Sequence, residues 1–191
     1  MEYQDRIFIA DEIKGSEFED CKFINCRFIS ANLRFTSFKN CSFQACDLSS
    51  ALFDLTSFIK CSFSESKLSN LDFSEVQLKE CNFSTAILRN CVFQQIKIGS
   101  KNQGKKFDLN DVSFEKADLP GTTFILCELR EANFKNTNLE SAIFDKCNLV
   151  KAIFTGANLS GVNFSSSKIE NTILDLEGFL TFGQSYGFKL A

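Results

Sequence analysis

Large apolar residues recur every five positions along almost the whole chain. From Phe18 the steps run through Phe23, Phe28, Leu33, Phe38, Phe43, Leu48, Phe53, Phe58, Phe63, Leu68, Phe73, Leu78, Phe83, Leu88, Phe93 and Ile98, with Ile13, Phe8 and Tyr3 before them. A second run begins one residue out of phase. It takes in Leu109, Phe114, Leu119, Phe124, Leu129, Phe134, Leu139, Phe144, Leu149, Phe154, Leu159, Phe164, Ile169 and Leu174. Two residues before each centre stands a small one, as in Ala117, Thr122, Cys127, Ala132, Ala152 and Ser167. Residues two apart in an extended segment point to the same side. Each unit of five therefore sends one large and one small side chain into the same interior.

Neither regular element has this period. On an α-helix successive centres would rotate by about 140° and smear over the surface. On a continuous strand they would alternate between faces. The chain must turn within every unit, so that all centres meet one axis. An all-β solenoid in which each turn packs on its neighbours is the predicted fold.

Units such as Ala31-Asn32-Leu33-Arg34, Ala117-Asp118-Leu119, Ala132-Asn133-Phe134-Lys135 and Ala157-Asn158-Leu159-Ser160-Gly161 resemble those of pentapeptide repeat proteins. The resemblance implies a right-handed quadrilateral β-helix. With roughly twenty residues per coil and ~4.8 Å per layer, nearly eight coils would make a rod of about 37 Å. The organisation expected is an N-terminal cap over residues 1–15 and a first run of repeats over 16–98. A polar basic loop with the phase shift follows over 99–108, then a second run over 109–174 and a C-terminal helical cap over 175–191.

Composition narrows the chemistry. The 191 residues include 23 Phe and no His, which removes the commonest general base and metal ligand. No nucleophile–base constellation is visible, so no enzyme and no cofactor are expected. A net charge of −3 does not suggest direct nucleic-acid binding. The acidic start MEYQDRIFIADEIKG has no signal-peptide pattern, and no apolar run is long enough to cross a membrane, so a cytoplasmic protein is expected.

All nine cysteines fall in the small inward position. A zinc site needs sulfurs converging on one point, whereas a column strings them along a line. Stacked side chains also run parallel rather than turning towards each other as a disulfide requires. Cysteine is expected here as a small apolar filler.

Outward positions carry what recognition the chain has. The break GSKNQGKK nearly matches a phosphate loop, but Lys106 stands where a hydroxyl is needed and no amphipathic helix follows. Its lysines Lys101, Lys105 and Lys106 are candidate partner contacts. Residues 21–106 carry twelve bases and six acids, whereas 107–191 carry seven bases and eleven acids. Stepping by coils puts Lys39, Lys60, Lys79 and Lys97 on one face. Asp108, Asp111, Glu128 and Glu131, also candidate contacts, are expected on another face beyond the break. Phe35 and Leu55 should stack on one face, with Ile125 and Leu126 on a different one.

After Leu174 the pattern changes. Asp175 is a suitable helix N-cap, Leu176, Phe179, Leu180 and Tyr186 recur at helical spacing, and Gly187 can close the helix. An open solenoid end must be covered, so this segment is expected to cap the rod. Phe179, Leu180, Phe182, Tyr186 and Phe188 are candidates for a dimer interface. An apolar helix, a glycine and a short apolar segment at the C-terminus resemble the ends of Qnr-type topoisomerase-protecting pentapeptide proteins. That resemblance implies a homodimer shaped and charged like DNA. It would bind DNA gyrase or topoisomerase IV and protect it from quinolones, microcin or albicidin. A pentapeptide-repeat scaffold or effector with no topoisomerase role is the alternative.

Overall fold

In the computed structural model the chain winds as a parallel β-solenoid closed by one helix. The structure describes residues 1–49, 51–94, 107–110, 112–185 and 187–189. In chain order the strands are β1 (Glu2–Gln4), β2 (Glu17–Glu19), β3 (Lys22–Ile24), β4 (Ser37–Lys39), β5 (Ser42–Gln44), β6 (Ser57–Ile59) and β7 (Gln77–Lys79). They continue as β8 (Val92–Phe93), β9 (Phe107–Asp108), β10 (Thr123–Ile125), β11 (Cys127–Glu128) and β12 (Ile143–Asp145), followed by helix α1 (Leu176–Ser185). Pairing is parallel and in register throughout: Phe23 lies over Tyr3, Phe43 over Phe23, and Phe58 over Phe38.

Four faces result, each named here by an early centre: Phe18, Phe23, Phe28 and Leu33. Along the Phe23 face the rings form one stack, Phe43 on Phe63 at 5.1 Å and Phe114 on Phe134 at 5.0 Å, all nearly parallel. Rings from opposite faces meet edge to face across the axis, as Phe134 and Phe144 do at 5.6 Å and 87°. Both arrangements suit the ring quadrupole. Burying each such side chain contributes about 1.5–3 kcal/mol before entropy is subtracted. The described interior is filled by side chains from Phe8 to Phe164.

Bridges join residues twenty apart within each run, such as Asn133 and Ile153. Across the break the offset becomes thirty-one, with Asn82 on Ser113, Ile87 on Asp118 and Val92 paired to Thr123. The three columns thus pass through the break unbroken. The extra length falls in sequence between Phe93 and Leu109, the centre that resumes the Phe18 face.

The fifth residue of most units sits in the left-handed region, for example Asn25 (φ 53°), Lys60 (55°) and Asn136 (55°). Left-handed geometry costs a non-glycine residue about 1–2 kcal/mol, and here the stacking around the corner offsets it. Two kinds of corner occur. At one kind the chain closes a direct turn hydrogen bond, such as Thr56 N–H to the Phe53 carbonyl (2.9 Å) or Ala86 N–H to the Phe83 carbonyl (3.0 Å). Small apolar residues, Val76 and Ala117, lie above these corners.

At the other kind a side chain of the next coil carries the link. Ser66 Oγ accepts from Cys46 N–H at 3.0 Å and donates to the Phe43 carbonyl at 3.1 Å. Ser167 does the same between Cys147 N–H (3.0 Å) and the Phe144 carbonyl (2.8 Å). Cysteines stand in the equivalent place, with the thiols of Cys41, Cys61 and Cys81 donating to the carbonyls of Phe18, Phe38 and Phe58 at 3.3–3.5 Å. The cysteines are therefore more than apolar filler. They are small enough to be covered and still supply a hydrogen-bond donor to the corner below.

Candidate protein-interaction surface

The residues flanking each centre point outward, so every face is a grid of solvent-facing side chains held by the stack. Charges on this grid pair from coil to coil. Lys39 meets Glu19, Arg34 meets Asp54, Arg89 meets Asp118 at 2.5 Å, and Lys151 meets Glu131 at 3.3 Å. Glu80 faces both Lys60 (3.6 Å) and Lys79 (3.8 Å). Amides bond along the same rows, Asn25 to Asp5 (2.6 Å) and Asn138 to Asp118 (2.9 Å). Exposed pairs stabilise little individually, but together they neutralise much of the grid.

The acidic and basic stripes expected on separate faces share one. Because the thirty-one-residue offset carries the other three columns across the break, Asp108, Glu128 and Glu131 continue the Phe18 face of Lys39, Lys60 and Lys79. Asp108 accepts from Asn110 (2.8 Å) and Glu128 from Asn148 (2.6 Å). Lys97, Lys101, Lys105, Lys106 and Asp111 lie outside the described residues. Phe35, Leu55 and Leu126 likewise share one edge, the corner of the Leu33 face, instead of two faces. A sequence cannot show this, because the register across a break depends on how much of it is spent outside the stack.

At the C-terminus Asp175 caps α1 as expected. Its carboxylate accepts from Gly178 N–H at 2.8 Å and reaches down to Gly156 N–H at 2.6 Å, fastening the helix to the Gly156 corner of the coil below. These two hydrogen bonds, the Gly178 one foremost, hold the Asp175 carboxyl below its usual pKa. Phe182 packs on Phe164 at 5.7 Å, and buried Gly178 abuts Leu159 and Leu174. Past the helix Gly187 takes φ 84° and Phe188 N–H bonds the Gly183 carbonyl at 3.0 Å. Phe179, Leu180, Phe182 and Phe188 then line an apolar groove of about 290 Å³. Leu176, Phe179 and Phe188 are 75%, 63% and 73% exposed, so the cap turns an apolar side outward. Tyr186 lies outside the described residues.

One feature escaped the sequence reading. The guanidinium of Arg6 lies over the ring of Phe8 (4.7 Å) and beside that of Tyr3 (5.6 Å), and Glu12 holds it there. The signal was present: Arg6 occupies the small inward slot two before a centre, which only an end coil allows.

The described residues contain no group of three or more His, Cys, Asp or Glu that could hold a metal ion. Burial pushes the thiols of Cys46 and Cys91 up to about 12 and that of Cys81 up to about 11. No described helix is long and apolar enough to cross a membrane.

Comparison with known proteins places these features. A model of the pentapeptide repeat region matches residues 16–102 and 105–174. No curated protein matches. Among solved structures the chain is similar to trypsin-treated QnrB1, a plasmid-mediated fluoroquinolone resistance protein. The identity is 19%, over 100% of this chain and 99% of that one, with a TM-score of 0.48. Full-length QnrB1 gives 18% identity over 98% and 100% of the two chains, with a TM-score of 0.47. It is also similar to HetL, a pentapeptide repeat protein involved in heterocyst differentiation regulation in the cyanobacterium Nostoc. There the identity is 16% over 88% and 84% of the chains, and the TM-score is 0.29.

Proposed function

The chain belongs to the pentapeptide repeat family, and on that premise we propose that it is a non-enzymatic rod that binds a protein through its surface. The observation that carries this is the division of labour in each unit. Among the described residues the inward side chains fill the axis, while the outward ones are presented on a grid spaced by the strands. A frame of that kind offers area and charge pattern to a macromolecule.

The partner we propose is DNA gyrase or topoisomerase IV, protected by this protein from quinolones or peptide toxins. Support comes from the family and from the resemblance of the C-terminal helix, glycine and apolar tail to Qnr-type ends. The exposed groove of Phe179, Leu180, Phe182 and Phe188 supports a homodimer built on α1. The contact surface includes Asp108, Glu128 and Glu131, with Asp111 and the loop lysines Lys101, Lys105 and Lys106 beside them in sequence. The test is gyrase supercoiling with ciprofloxacin, with and without purified protein. Rescue or inhibition at micromolar protein supports the reading. No rescue, no inhibition and no binding overturns it.

One observation favours a scaffold with no topoisomerase role. Lys151 neutralises Glu131 and Arg89 neutralises Asp118, so neither carboxylate stands as a lone phosphate-like charge. B-DNA carries about one charge per 1.7 Å of axis. Binding to a partner that leaves supercoiling unaffected would select this second reading.

A further inference from the structure

Helix α1 is weak by itself and thinly packed on the rod. It has ten residues, Gly178 and Gly183 among them, and isolated helices of that length are marginal in water. Gly178 is its buried residue, while Phe182 leans on Phe164 at 5.7 Å. Gly178 lies so close because it has no side chain. A Cβ there would stand 3.1 Å from Asp175 Oδ1 and 3.4 Å from Leu159 Cδ1. Leu176 and Phe179 face outward.

Asp175 ties this helix to the coils by an exchange of groups. One coil earlier, Asn136 N–H donates to the carbonyl of Thr155 at 3.0 Å, the link between successive corners. At Gly156 the matching acceptor, again 19 residues on, would be the carbonyl of Asp175. The side chain takes that place instead, with Oδ2 accepting from Gly156 N–H and Oδ1 from Gly178 N–H. The Asp175 carbonyl is thereby free to accept from Phe179 N–H at 3.0 Å and start the helix. We propose that this carboxylate is the clasp on which association of two copies depends, a role that rests on the homodimer proposed for α1. The groove of Phe179, Leu180, Phe182 and Phe188 meets a partner only while the clasp holds α1 on the rod.

A second copy suits this end of the rod. Leu176, Phe179 and Phe188 are exposed there, and Ile169 and Ile173 of the last coil are 46% and 48% exposed. From Lys168 to Lys189 the chain carries two bases and three acids, so two such ends meet without strong like-charge repulsion. Both copies need their helix docked. The apparent Kd of the dimer therefore rises as the inverse square of the docked fraction, and a fraction of about one third raises it about tenfold. By linkage, association in turn holds α1 down.

The experiment compares full-length parent, Asp175→Asn, Gly178→Leu and Phe179→Asp by sedimentation over a concentration series, with amide exchange in Leu176–Ser185 read in parallel. The parent is expected to dimerise, and its α1 to exchange more slowly as concentration rises. Asp175→Asn keeps an acceptor for Gly178 N–H but has no second oxygen for Gly156, and should raise Kd about tenfold. Gly178→Leu favours helix over glycine but cannot lie against Leu159. It should dimerise more weakly with no loss of far-UV helicity, which separates docking from helix stability. Phe179→Asp should stay monomeric while its α1 exchanges as slowly as that of the dilute parent, because its clasp is intact. A dimerising parent whose Kd is unchanged in Asp175→Asn or in Gly178→Leu overturns the proposal and leaves the homodimer standing. A parent that stays monomeric at every concentration overturns both.

Discussion

Ser66 Oγ donates to the carbonyl of Phe43, one coil below it, while accepting the N–H of Cys46 three residues further along that coil. The hydroxyl stands where a direct turn hydrogen bond would otherwise close the corner. Ser66→Ala is expected to strand both backbone groups in a buried place and to cost about 1–3 kcal/mol. Ser66→Cys, which restores a donor of the kind used at Cys61 and Cys81, should recover part of it. Urea unfolding of the three proteins measures the difference. Equal midpoints for Ser66→Ala and the parent would remove the bridging role.

The nine thiols should be inert in the folded protein, because all of them are buried and reactivity needs exposed thiolate. A thiol-reactive dye at neutral pH should label the native chain negligibly and label it fully in denaturant. Burial raises the folded pKa of Cys46, Cys81 and Cys91 to between about 11 and 12. A raised folded pKa means that the unfolded chain loses its protons first. The stabilisation is therefore complete below the unfolded value of about 8.5 and is lost as pH rises towards 11–12. Melting temperature should fall through that alkaline window, and less so after Cys46→Ser.

Asp175 behaves in the opposite sense. Its folded pKa is depressed by the Gly178 and Gly156 N–H groups, so its contribution is present above the unfolded value of about 3.9 and lost as pH falls through the lower folded value. Asp175→Ala should loosen α1 at neutral pH, seen as faster amide exchange in Leu176–Ser185, and the gap from the parent should close in acid. A gap that persists at low pH would show that the carboxylate charge is not the fastener.

Gly156 should tolerate no side chain. It has φ 72°, and a Cβ there would run into Asn136 Oδ1 directly below. Gly156→Ala is expected to lose about 1–2 kcal/mol from backbone geometry alone, and more as the contact with Asn136 disturbs the Asp175 anchor. Gly15→Ala, at φ 69° but with open space around it, isolates the backbone part. Thermal melts of the two variants separate the terms.

Much of this molecule is legible residue by residue. The five-residue period names the buried centres from Phe8 to Phe164, though the expected centre Ile169 is exposed, and Asp175 and Gly187 mark the ends of α1, because a turn, a cap and a buried position each depend on a few adjacent residues. What sits above what is a different kind of information. Asn82 meets Ser113 and not residue 102, which puts Asp108, Glu128 and Glu131 on the face of Lys39. Ser66 reaches Phe43, and Arg6 lies over the ring of Phe8. Those relations join residues through the stack or depend on where it ends, and only the wound chain fixes them, since the inward pattern is satisfied equally well by any register that keeps large over large. Local pattern thus reveals the core and the helical cap, whereas the corner hydrogen bonds and the shared charged face arise only when coils stack, because they join residues of different coils.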